Sequence, residues 1–342
     1  MDSLSQIVLG AAVGHAVLGR EAKNKALLWG AVAGTIPDLD VIPGQFVDTV
    51  TRLEMHRGFS HSILFAVTCS PIFGWLVSKI HKKYSISWFK WAQLFFWGIV
   101  THFMLDNFTT WGTQVFYPFE YRVAWRTIFV IDPIYTFPFL AFLLLVLFSK
   151  DHRFRQKMNY WGLAVSSLYL LISVVNKNIA SHAVEQALDQ QNISWQRYET
   201  FASPFNTIMW ITNVETDSGF YTGYYSLLDD STDIHFTFFP KNHHLIDDFR
   251  GNDNLKKLMR LSNYWYKIVP ADSGGVLYQD LRFATIEFPP KTDSRFAFTY
   301  KIERIPATNP GISIERLPFV YAERTQTLNG LWKRLQGIKP VD

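Results

Sequence analysis

Long apolar runs separated by short polar breaks fill the first half of the chain, whereas apolar and polar positions alternate at short range in the second half. A membrane-spanning helix needs about 20 apolar residues. On that scale the runs mark six segments, roughly 3 to 19, 26 to 37, 60 to 79, 89 to 108, 127 to 148 and 158 to 176. The second is short. About twelve helical residues cover about 18 Å, so Pro37 should end below the bilayer surface, facing protein or trapped water. A recessed pocket is expected there.

Past about Lys177 the pattern changes to that of a water-soluble α+β domain. SHAVEQALDQQ reads as a helix through about Gln190, continuing the sixth segment into water. Aromatic and β-branched runs then predict strands at Thr207 to Val214, Phe220 to Leu227, Ile234 to Phe239, Gly275 to Phe288 and Arg295 to Ile302, with turns such as Asp217-Ser218-Gly219 between them. Amphipathic helices are expected near Leu245 to Tyr264 and Gln326 to Leu335. The predicted architecture is therefore mainly α: a polytopic membrane bundle, residues 1–176, followed by an extramembrane α+β domain, residues 177–342.

Charge orients the bundle. Alternate loops on one side hold Arg20, Lys23, Lys25, Lys79, Lys82, Lys83, Lys90, Lys150, Arg153, Arg155 and Lys157, and those on the other side hold Arg52, Arg57, Arg122 and Arg126. Basic loops resist translocation, so eleven against four places the first set in the cytoplasm and the C-terminal domain in the periplasm of a bacterial inner membrane. The net charge of +4 leaves no nucleic-acid footprint, and the N-terminal segment lacks the basic start of a cleaved signal, so it reads as a retained helix. The single cysteine, Cys69, allows neither an intrachain disulfide nor a thiolate cage, so any metal must be held by nitrogen and oxygen.

Seven such residues fall at segment ends on the outward side. Asp38 and Asp40 close the second segment in Pro-Asp-Leu-Asp, and His56 and His61 in HRGFSHS open the third. His102 and Asp106 close the fourth, and Asp132 opens the fifth. Each has a bland reading as a helix cap, an interfacial imidazole or a solvated turn. Against it, His102 and Asp106 at i and i+4 share one helix face, and a carboxylate in an apolar helix costs about 2.5 to 3.5 kcal/mol and needs a partner. Arg57 is suited to an anionic oxygen of substrate or transition state. Asp132 is suited to a supporting or second-metal role, and Asp40 or Asp132 to a catalytic base. His15, about 13 Å down the first helix from Gln6, reads as a satisfied bundle residue. For His81, His152, His182, His235, His243 and His244 solvated surface is the default.

With MDSLSQIVLGAAVG, PDLD, HRGFSHS, the His102/Asp106 spacing followed by FTTWGTQVFYPF, and IDPIYTFP, the membrane half resembles the bacterial membrane-bound metal-dependent hydrolase family, which includes LexA-regulated inner-membrane members. That family is distantly similar to zinc-dependent phospholipase C and the single-strand-specific zinc nucleases. The resemblance implies that His56, His61, His102, Asp106 and one or both of Asp38 and Asp40 bind metal, with Zn²⁺ first among divalent transition ions. One position departs: many relatives carry a His, within a Thr-His pair, where this chain has Ser5-Gln6.

Together these readings give a membrane-embedded hydrolase in which metal-activated water attacks a lipid or envelope phosphodiester. Two other classes fit the same residues. A metal or proton transporter requires polar groups through the full membrane depth, and a metal-stabilised scaffold requires a bound ion without turnover.

Overall fold

The computed structural model describes residues 1–272, 274–305, 311–318 and 324–339. The chain divides into two compact units. Met1–Phe46, Met55–Val174 and Pro204–Asn206 form the first, and Val47–Glu54, Val175–Ser203 and Thr207–Asp342 form the second.

In the first unit a helix stands in each of the six apolar segments: α1 (Ser3–Ala22), α2 (Asn24–Ala33), then, after the short α3 (Thr49–Met55), α4 (Ile63–Ile80), α5 (Trp88–Asn107), α6 (Pro133–Phe148) and α7 (His152–Gln190). Six spans do not follow. By length and composition three described stretches can cross a membrane, Asn24–Phe46, Ile63–Ile80 and His152–Gln190. Helix α6 has only 16 residues because Asp132 and Pro133 start it late. Helices α1 and α5 are long enough, but their apolar runs are broken by Gln6, His15 and Arg20 and by Lys90, His102 and Asp106.

Helices α1 and α2 touch backbone to backbone. A Cβ at Gly30 would lie 2.3 Å from Gly10 O, and one at Gly14 would lie 2.4 Å from Ala26 O. Small residues four apart on both helices make this approach sterically possible. After Ala33 the chain tightens into 3₁₀ turns at Ile36–Val41 and Pro43–Phe46. This delivers Asp38 and Asp40 from beyond the end of α2, and helix and turns together make the 23-residue stretch Asn24–Phe46, so the apolar element does not stop at Pro37 as the sequence pattern suggests.

In the second unit, the last turns of α7 pack Ala183, Val184 and Leu188 against Trp210 and Val214 of the first sheet. That sheet is an antiparallel meander of β1 (Arg197–Ala202), β2 (Met209–Glu215), β3 (Gly219–Ser226) and β4 (Phe236–Pro240). The second is another meander, β5 (Tyr266–Pro270), β6 (Val276–Thr285), β7 (Phe296–Arg304) and β8 (Ile312–Arg316), covered by α8 (Asp253–Leu261). Helix α9 (Arg324–Leu335) follows. Residues 47–54 belong to this unit because Leu53 joins its core and Glu54 pairs with Lys257 and Arg260.

Strands β1, β5 and β8 are absent from the sequence expectation. Arg197–Ala202 and Ile312–Arg316 are edge strands, and Arg197, Glu199, Glu315 and Arg316 dilute their apolar pattern. The single helix expected at Leu245 to Tyr264 is instead a 3₁₀ turn, His243–Phe249, and α8. Gly251 breaks it, and the Asn252 side chain caps α8 by accepting from Asn254 N and Leu255 N.

Candidate metal centre

Four side chains from three parts of the first unit meet in one place. Asp38 comes from the 3₁₀ turn after α2, His61 from the turn before α4, and His102 and Asp106 from one face of α5. One ligand atom from each lies within 4.8 Å of all the others. His61, His102 and Asp106 are fully buried, while the Asp38 side chain is 22% exposed.

The two imidazoles define the chemistry. His102 Nδ1 lies 2.7 Å from the carbonyl of Gly34, which can only accept, so Nδ1 carries the proton and Nε2 a lone pair. Ser60 Oγ donates to Asp40 Oδ2 at 3.0 Å and thus accepts from His61 Nδ1 at 2.9 Å, which leaves His61 Nε2 bare as well. These two Nε2 atoms face each other at 3.1 Å. Two lone pairs so close repel unless a cation, either a metal ion or a proton on one ring, sits between them.

The remaining distances fit a metal. Asp38 Oδ1 is 3.3 Å from His61 Nε2 and 3.6 Å from His102 Nε2, and Asp106 Oδ2 is 3.4 and 3.7 Å from the same atoms. A tetrahedral ion with bonds of about 2.0 to 2.1 Å spaces its ligand atoms by about 3.3 Å. Asp106 Oδ2 is buried without a hydrogen-bond partner. Arg57 Nε lies 3.1 Å from it without the alignment a hydrogen bond needs, so the contact is electrostatic and the lone pair stays available to an ion. The other oxygen, Oδ1, is taken by Gln6 Nε2 at 3.0 Å and by the amino group of Met1.

The other expected site residues have different places. Asp40 and His56, anticipated as ligands, stand outside the group of four. Asp40 holds the HRGFSHS turn from behind: Oδ1 meets His56 Nδ1 at 3.0 Å, and Oδ2 accepts from Arg57 N at 2.9 Å and from Ser60. A carboxylate so committed orients ligands, and it is not a free base. Arg57 is buried, with Nη1 donating to Thr109 Oγ1 at 2.8 Å, so its guanidinium first serves Asp106. Its backbone is left-handed at φ 59°, a conformation costing roughly 1–2 kcal/mol, and is held there by Asp40 on its N–H and Gln114 N on its carbonyl. Asp132, anticipated as a second metal ligand or base, caps α6: Oδ1 accepts from Ile134 N and Tyr135 N, and Oδ2 from Tyr169 OH at 2.8 Å.

Gln6 reaches the site with its amide nitrogen donating to Asp106 Oδ1 and to His102 O, the latter at 3.2 Å, while its amide oxygen is buried without a hydrogen-bond partner. His15 is buried in the bundle as expected. His81 and His243 depart from the solvated default. Trp29 Nε1 donates to His81 Nε2 at 2.9 Å while Trp91 stacks on the ring, and His243 lies on Tyr266 with its Nε2 2.8 Å from Tyr266 O. Sequence reasoning missed Ser60 and Gly34. Ser60 sits beside His61 in the quoted motif, but nothing local signals a glycine carbonyl 68 residues from its imidazole.

The model of the family described as YdjM inner membrane protein matches residues 1–180, so the chain belongs to that family. No curated protein and no solved structure matches it.

Proposed function

We propose that this member of the YdjM inner membrane protein family is a membrane-embedded, metal-dependent hydrolase acting on a phosphodiester or a phosphoryl-bearing lipid. The observation that carries the reading is the pair of Nε2 atoms facing each other at 3.1 Å, with an Asp38 and an Asp106 oxygen at tetrahedral spacing from them. Mixed nitrogen and oxygen ligation of that size favours Zn²⁺ among divalent ions. The chemistry such an ion supplies when bound is polarisation of a phosphoryl oxygen and a lowered water pKa.

The protein's own groups support that chemistry in three ways. Gly34 O and the Asp40–Ser60 pair fix both imidazoles in the tautomer that leaves Nε2 free. Arg57 beside Asp106 offsets part of the negative charge that two carboxylates bring to a buried place. His56, 31% exposed with Nδ1 held by Asp40, has its ring centroid 6.2 Å from that of His61. On this reading the chain is multi-pass with its C-terminal unit in the periplasm, supported by the eleven-to-four division of basic residues between alternate loops.

The test is element-resolved metal analysis of the detergent-purified protein, its His61→Ala and its His102→Ala variants, paired with hydrolysis of bis(4-nitrophenyl) phosphate. Stoichiometric transition metal and turnover in the parent, both lost in the variants, are expected. Full occupancy in both variants would sink the site. Metal without turnover of the soluble diester or of phospholipid would leave a stabilising ion and sink the hydrolase.

A further inference from the structure

We propose that a groove on the bundle surface between α1 and α2 holds one acyl chain of a bilayer phospholipid, with the phosphoryl head group at the Asp38 side of the metal centre. This deepens the hydrolase reading and rests on it for the fate of the head group.

The groove holds about 260 Å³ and is lined by Ile7 of α1 and by Leu28, Ala31, Val32, Thr35, Ile36 and Leu39. The last six form a stripe that runs from α2 into the 3₁₀ turn after it, inside the Asn24–Phe46 stretch that can cross a membrane. Its one hydroxyl, on Thr35, donates back to Ala31 O at 2.9 Å, so the wall offers a ligand only hydrocarbon. Leu28 lies on α2 and Leu39 on the 3₁₀ turn that follows it, so the stripe leads along the chain from the helix to the turn that carries Asp38.

The stripe ends beside the chemistry. Leu39 follows Asp38, the one ligand group of the four that is not fully buried, so one short turn carries both the end of the groove wall and the exposed edge of the cluster. The surrounding turns are apolar as well: Ile42, Phe59, Phe116 and Phe119 are exposed, and Phe46 is 83% exposed. A site built for a water-soluble diester would not present such a rim, whereas these side chains are at home among acyl chains.

The full chain is reconstituted in phosphatidylcholine vesicles containing a phosphatidylglycerol with a diazirine in one acyl chain, and labelled peptides are mapped after illumination. Label concentrated on the Leu28-to-Leu39 stripe is expected. It should be lost in Leu28→Trp and Ile7→Trp, which fill the groove, while bound metal stays at the parent level. Label spread over the exposed faces of α4 and α7 as densely as over the stripe, and unchanged in the two variants, would overturn the proposal, even with soluble-diester turnover intact. Loss of phospholipid turnover in Leu28→Trp with bis(4-nitrophenyl) phosphate turnover retained would support it. Localised, variant-sensitive label without any turnover would support the groove while the hydrolase reading failed.

Discussion

Gly30→Ala tests whether the contact of α1 with α2 sets the geometry of the metal centre. The added Cβ would meet Gly10 O at 2.3 Å and Gly14 Cα at 2.8 Å, both backbone atoms that cannot swing aside. Ordinary contact begins near 3.4 Å, so the helices must part by about 1 Å. Overpacking of this kind costs about 1–3 kcal/mol, whereas the better helix propensity of alanine returns at most about 1 kcal/mol. Net destabilisation of about 1–2 kcal/mol is therefore expected. The larger effect should be at the site. Gly34 lies one turn beyond Gly30, and if the parting from α1 carries it about 1 Å from His102, the His102 Nδ1 to Gly34 O bond stretches from 2.7 Å past any hydrogen bond. Asp38, carried on the same strand of chain, would leave its 3.3 Å spacing from His61 Nε2. Loss of a supporting bond of this type lowers metal affinity about 10- to 100-fold. Zinc titration against a competing chelator measures it, with thermal unfolding in detergent alongside. Gly251→Ala, where a Cβ meets nothing within 4 Å, serves as the control and should change neither. Unaltered zinc affinity and melting temperature in Gly30→Ala would refute the coupling.

Three further outcomes follow from particular contacts. Ser60→Ala removes the acceptor that fixes the His61 tautomer, so zinc affinity should fall about tenfold with little change in melting temperature; an unchanged titration would show that Ser60 does not hold the ring. Asp132→Ala deletes the cap of α6 and the Tyr169 bond, and should destabilise the protein by about 1–2 kcal/mol while leaving stoichiometric metal, whereas loss of metal would restore the ligand role anticipated from sequence. In the second unit, buried Lys267 lies over Phe239 and Phe296 with its ammonium donating to Ser294 O at 3.3 Å, and burial pushes its pKa down from 10.5 to about 8. The unfolded chain then binds more protons above pH 8, so stability should rise from about pH 8 to about pH 9.5, before tyrosines freed by unfolding ionise near 10 and reverse the trend. Denaturant unfolding followed by tryptophan fluorescence should show that rise in the parent and a flat profile in Lys267→Met; a flat parent profile would contradict the burial argument.

Much of the first unit was legible because burial in an apolar medium leaves a one-dimensional trace. Long apolar runs marked where helices lie, Pro37 marked the turn that carries Asp38, and the i, i+4 spacing put His102 and Asp106 on one face of α5. Residue type and helical periodicity sufficed for that, since both act within a few neighbouring residues. Which of those groups share a centre was not in the pattern. Asp40 and His56 carry the same donor atoms as Asp38 and His61, and it takes the 3₁₀ turn at 36–41 to separate the two carboxylates and the turn at left-handed Arg57 to separate the two imidazoles. The edge strands β1 and β8 escaped for a related reason: half-solvated positions accept charge, so their alternation fades, and pairing with the neighbouring strand of the meander supplies the order. The tautomers of the two imidazoles depend on Gly34 and Ser60, one distant and one adjacent, because a proton's place on a ring is decided by what stands within 3 Å of it in space.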